Sequence, residues 1–148
     1  MSILYILAIV VLDQLSKYIA KIKLYSISQI EIIKGFFSLT YVENRGAAFG
    51  IFKDKRIILV GFTTIVIAVM IYYLLKNKSM NKLLRVSLIL IIAGAIGNLI
   101  DRVLLGYVVD FFHLYIGNVF DWPVFNVADI SIVFGTILLA FNLLFSKE

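Results

Sequence analysis

Between Gly97 and Asp129 the chain places four aspartates, Asp101, Asp110, Asp121 and Asp129, in or beside sequence apolar enough to sit in a membrane. Another, Asp13, interrupts an uncharged N-terminal run. An ionisable side chain inside a span costs roughly 2.5 to 3.5 kcal/mol on insertion scales, so a functional role is the default reading. Two chemistries fit. Two neighbouring carboxylates cannot readily both ionise; they share a proton, one activates water, the other donates a proton, and a peptide bond is hydrolysed. Alternatively, intramembrane carboxylates relay protons or bind cations for transport. Other catalytic groups are scarce. There is no cysteine, which removes disulfides, thiolate metal sites and a cysteine nucleophile. Ser16 and Lys17 are adjacent and do not face each other on a helix, so a Ser–Lys dyad is weak. His113 is the single histidine, and a metal site would rest on carboxylates alone; it reads as an interfacial or packing residue.

The elements that must position these residues are membrane spans. The chain is 62% hydrophobic and 16% charged with mean hydropathy +1.03, whereas a soluble domain is about half apolar and a quarter charged. The net charge of +5 comes from basic residues beside apolar runs, where they meet lipid headgroups and not nucleic acid. Four helices are expected, about 3–20, 57–75, 86–105 and 126–145, in one domain over 1–148. The first lacks a basic flank and a cleavage site and is read as a retained helix. Asp13 and Lys17, spaced i, i+4 with the acid first, form a neutralising pair at its polar end. Gly94, Asn98 and Asp101 share one face of the third helix, with Arg102 on its flank, so that face points inward. Segment 21–56 contains Phe37 to Val42, which alternates like a strand, then turns at Glu43 to Gly50; a small sheet on the membrane is expected there. Segment 106–125 reads as an aromatic-rich, flexible connection carrying Asp110. Asn126 is an N-cap candidate for the last helix with Asp129 three residues on, as in a capping box, which gives Asp129 a structural reading too.

Successive spans alternate in direction. The C-terminal ends of the first and third helices therefore meet the N-terminal ends of the second and fourth. Asp13, Asp101, Asp110, Asp129 and the turn at Asn44 all fall on that one face, turning a linear scatter into a cluster. Lys76 to Arg85 holds four basic residues and no acid, which puts the opposite face in the cytoplasm. Both termini are then cytoplasmic and segments 21–56 and 106–125 extracytoplasmic. The fold class expected is an all-α membrane protein, a four-helix transmembrane bundle with a small extracytoplasmic β-sheet and loop region. Acids confined to one end, without an inverted repeat, suit a transporter less well than a peptidase.

The residues also resemble a known family over essentially the whole chain. The motifs are Asp13-Gln14-Leu15-Ser16-Lys17; Tyr41 to Gly50 (YVENRGAAFG); Gly97-Asn98-Leu99-Ile100-Asp101-Arg102; Gly106-Tyr107-Val108-Val109-Asp110-Phe111-Phe112; and Phe125-Asn126-Val127-Ala128-Asp129. In this order they resemble lipoprotein signal peptidase (signal peptidase II), the membrane aspartic peptidase of bacteria. The resemblance implies that Asp110 and Asp129 are the catalytic dyad and that Asp13, Lys17, Asn44, Arg45, Gly46, Asn98, Asp101, Arg102 and Asn126 bind substrate or brace the site. It implies a diacylglyceryl-modified prolipoprotein as substrate, cut on the N-terminal side of the lipidated cysteine, without metal or nucleotide cofactor. It also implies location in the bacterial cytoplasmic membrane. A site formed within one bundle needs no second subunit, so a monomer is expected. Asp121 matches no motif and reads as a solvated interfacial charge.

Overall fold

A computed structural model describes residues 1–27, 29–46, 55–117 and 119–145. The final part of the Tyr41 to Gly50 motif, Ala47 to Gly50, lies outside the described residues. Four helices, α1 (Ser2–Leu24), α2 (Arg56–Lys76), α3 (Lys82–Leu104) and α4 (Val127–Phe145), are each long and apolar enough to cross a membrane. Their outer faces carry large exposed apolar side chains such as Leu4, Leu7, Val11 and Leu15 on α1 and Phe62, Ile65, Val69 and Tyr72 on α2. Such a surface belongs in lipid. Two helices run further than the apolar runs suggest. α1 continues through its charged end to Leu24, and α3 begins at Lys82, because the Asn81 side chain accepts a hydrogen bond from Leu84 N at 2.8 Å and caps it.

α3 is the centre of the bundle, packed most extensively on α4 and then on α1 and α2. Lipid tails are as apolar as leucine, so close packing and interhelical polar contacts must hold the helices together. Both are present. Ile92 and Ala93 are fully enclosed among Ile6, Ile67, Leu74 and Leu88. At Gly94 a Cβ would run into the Ala128 carbonyl oxygen, so only glycine lets α3 and α4 approach this closely. Ser131 Oγ donates to Leu90 O at 2.8 Å, and Asn81 Nδ2 to Asn142 Oδ1 at 2.8 Å.

Beyond the helix ends lies an antiparallel sheet in the order β1 (Ile30–Ile33), β2 (Phe37–Asn44), β3 (Val108–Ile116), β4 (Phe120–Asp121). The sheet is larger than segment 21–56 alone suggested. Half of it is built from 106–125, so the reading of Asp110 as part of a flexible connection is corrected: Asp110 is a buried residue of β3. The strand escaped detection because Val108, Val109, Asp110 and Phe111 are all buried, which removes the alternation that marks a half-exposed strand. Phe111 anchors the sheet to the bundle by packing on Ala20 and Leu24 of α1. The register shifts between Leu39 and Val42, leaving Val42 opposite Asp110 and Asn44 opposite Val108.

Candidate active site

Asp110 arrives on β3 and Asp129 in the first turn of α4, and both face a cluster of amides. Asn126 Nδ2 donates to Asp110 Oδ1 at 2.6 Å, and Asn44 Nδ2 to Asp110 Oδ2 at 2.9 Å. Asn98 Nδ2 donates to Asp129 Oδ1 at 2.7 Å. Asn126 and Asp129 also close a reciprocal cap: Asp129 N donates to Asn126 Oδ1 at 2.9 Å and Asn126 N to Asp129 Oδ2 at 3.2 Å. The structural reading of Asp129 therefore holds alongside any functional one. Capping leaves its other oxygen to Asn98 and fixes the carboxylate at a helix N-terminus, where partial positive charge favours an anion.

Behind the two aspartates is an ionic layer. Lys17 Nζ lies 2.9 Å from Asp13 Oδ2, 3.1 Å from Asp101 Oδ2 and 3.0 Å from Asn98 Oδ1. Each carboxylate then reaches a backbone N–H one residue before Asp129 or Asp110. Asp13 Oδ1 accepts from Ala128 N at 2.9 Å, one residue before Asp129. Asp101 Oδ2 accepts from Val109 N at 3.0 Å, one residue before Asp110. One lysine thus ties α4 and β3 together through two acids. At Gly97 a Cβ would meet the Asp13 carboxylate, so this close seat for Asp13 needs glycine. Among the described residues no buried side-chain nitrogen or oxygen lacks a partner.

The remaining residues singled out by sequence divide. Arg102 donates to Gly46 O at 2.9 Å and Asn98 O at 3.4 Å, and its charge acts on Asp129, Asp110 and Asp101. Gly46 N donates to Asn44 Oδ1 at 3.0 Å, which fixes the amide that holds Asp110. Arg45 is not brought into the cluster; it is exposed and sits 3.7 Å from Glu43. His113 does more than pack, since its Nε2 is 2.6 Å from Asp121 Oδ1. Gln14 is a site residue that side-chain type alone did not single out. Its Nε2 donates to Asp101 Oδ1 at 3.0 Å, Asp13 Oδ2 at 3.2 Å and Gly97 O at 3.2 Å. The available signal was its place between Asp13 and Lys17. The Val109 and Ala128 N–H donors carry no side-chain signal at all.

Burial, and next the nearby Asp129 charge, push the Asp110 carboxyl up to about 7, against the opposing pull of the Asn44 and Asn126 amides. The folded protein therefore holds a proton that the unfolded chain releases near pH 4. That contribution to stability is full below about pH 4 and is lost as pH rises through about 7. Asp110→Asn cannot titrate. Its melting temperature relative to the unsubstituted protein should rise between pH 4 and 7, measured by Trp122 fluorescence; a constant or falling difference contradicts a raised Asp110.

The profile described as signal peptidase (SPase) II matches residues 5–145. The chain belongs to the signal peptidase II family. Among its relatives, the lipoprotein signal peptidase of Clostridium acetobutylicum is 49% identical, covering 95% of this chain and 91% of that protein. The one from Clostridium tetani is 50% identical over 94% and 89%. A solved bacterial membrane enzyme structure superposes with a TM-score of 0.87 at 38% identity, covering 99% of this chain and 91% of that one. Family membership makes this a multi-pass membrane peptidase and decides against the transport reading.

Proposed function

We propose that this chain removes the signal peptide from diacylglyceryl-modified prolipoproteins, with Asp110 and Asp129 as the catalytic pair. The observation that carries this is the convergence of the two carboxylates on linked amides, Asn126 and Asn98, while Asp13 and Asp101 are both ion-paired with the buried Lys17 behind them. Two acids are thereby left to the chemistry. Asp129, held by the α4 N-terminus, is the ionised member and takes a proton from water. Asp110, with its raised pKa, holds the shared proton and directs it to the scissile carbonyl oxygen as water adds to the carbon. Collapse of the tetrahedral adduct breaks the C–N bond, with the proton on Asp129 passing to the departing amine of the cysteine and one hydroxyl proton of the adduct returning to Asp110 as the carboxyl group of the signal peptide forms.

The site lies at the helix ends beside the sheet, so a substrate with a signal-peptide helix and two acyl chains in the bilayer presents its cleavage point at the right depth. With Lys76, Lys78, Lys82 and Arg85 on the cytoplasmic side, the cluster faces out and both termini face in. The cluster is complete within one bundle and needs no second subunit, so the protein is read as a monomer. The test is cleavage, by the purified protein in lipid, of a precursor peptide whose cysteine is diacylated, against the same peptide unmodified. Release of a fragment beginning at the lipidated cysteine, from the diacylated peptide alone, is expected; equal cleavage of both, or cleavage elsewhere, overturns this assignment.

A further inference from the structure

A groove of about 500 Å3 lies on the sheet, lined by residues including Thr40, Val42, His113, Asp121, Pro123 and Val124. Its position follows from the strand register. Val42 is the cross-strand partner of Asp110, and direct partners project from the same face. Asn44, two residues further along β2, donates to Asp110 Oδ2. At about 3.3 Å per strand residue, the groove begins roughly 7 Å along β2 from the amide that holds the dyad. That is the reach of about two residues of extended polypeptide.

Its charge is distinctive. The Asp121 carboxylate is 79% exposed and touches His113 through one oxygen. The His113 ring lies 4.9 Å from that of Tyr115, whose hydroxyl accepts from Gln29 of the groove at 3.2 Å and donates to Glu31 Oε1 at 2.8 Å. Two carboxylates thus bear on this face, and among the described residues no lysine or arginine lines the groove.

Cleavage at the dyad leaves two halves with different destinations. The half before the cysteine is a lipid-soluble helix, whereas the half after it must leave the bilayer as hydrated chain. Resting on the function proposed above, we propose that this groove receives the substrate's first few residues C-terminal to the cysteine, in extended form, and that Asp121 gives it a preference for a basic over an acidic side chain there. Val42, Pro123 and Val124 supply apolar contact for the chain, and Asp121 supplies the discrimination.

The experiment compares diacylated precursor peptides that differ only at the second to fourth residues after the cysteine, with lysine, serine or glutamate at each position in turn. At low ionic strength, kcat/KM for lysine over glutamate should be about threefold to tenfold at one of these positions, the range for a partly screened charge contact that changes from attraction to repulsion. In Asp121→Asn that ratio should fall toward one, and in Asp121→Lys it should invert. No discrimination in the unsubstituted protein, or an unchanged ratio in both variants, overturns the subsite while leaving the peptidase assignment standing. Failure to cleave any of the peptides overturns the assignment itself, and the subsite with it.

Discussion

Lys17→Met is expected to lower stability by about 3 to 5 kcal/mol and cleavage by about a hundredfold or more. The Lys17 ammonium is 3% exposed and is the cation between Asp13 and Asp101. Methionine fills much of the same volume but leaves two buried carboxylates facing each other, of which one must take up a proton or recruit water. Either response weakens an acceptor that holds backbone. If Asp13 gives way, Ala128 N loses its partner and the first turn of α4, with Asp129, is released. If Asp101 gives way, Val109 N is released and Asp110 shifts with β3. A displacement of about 1 Å is enough to cost the hundredfold. Arginine should not rescue, because a planar guanidinium does not match three acceptors gathered round a point charge. Thermal unfolding and cleavage measured on the same preparation check this; Lys17→Met with unchanged melting and rate would remove the lysine from its bracing role.

Asp110→Asn and Asp129→Asn carry the largest expected effect on rate, a loss of about 10^4-fold or more, because in the proposed mechanism each removes a proton-transfer group. Their effect on folding should be small by comparison. Asparagine at 110 forfeits one of the two bonds from Asn44 and Asn126, but it also removes an ionisable carboxyl whose charged form burial and Asp129 disfavour. At 129 the amide oxygen can still accept from Asn126 N and keep the cap. The two classes of variant therefore separate: Lys17→Met loses rate and stability together, whereas the dyad variants lose rate alone.

Much of this site could be read from residue types and alternation of spans. Helices at 3.6-residue period put Asn98 and Asp101 on one inward face, and the i, i+4 spacing paired Asp13 with Lys17, both of which the folded chain uses. Asn126 and Asp129 announced their cap by spacing alone. Two things were hidden for physical reasons. β3 is covered on both faces at Val108 to Phe111, so it lacks the pattern by which strands are recognised, and Asp110 lost its rigid setting with it. The bracing beside Asp110 and Asp129 runs through the N–H groups of Val109 and Ala128, which every residue but proline possesses. What told Asp101 from Asp110 in the sequence was the family resemblance; what distinguishes them in the fold is that Asp101 is ion-paired with Lys17 at 3.1 Å while Asp110 takes its hydrogen bonds from the Asn44 and Asn126 amides.

In the proposed function Asp110 and Asp129 together hydrolyse the bond before a lipidated cysteine. The direct measurement is a time course for one diacylated precursor peptide with the purified protein, Asp110→Asn and Asp129→Asn in the same lipid, each first shown to melt as a folded protein. The dyad predicts cleavage by the unsubstituted protein and none above background by either folded variant. Cleavage by either variant within about tenfold of the unsubstituted rate would contradict it, since a lost proton-transfer group accounts for at least about 10^2-fold.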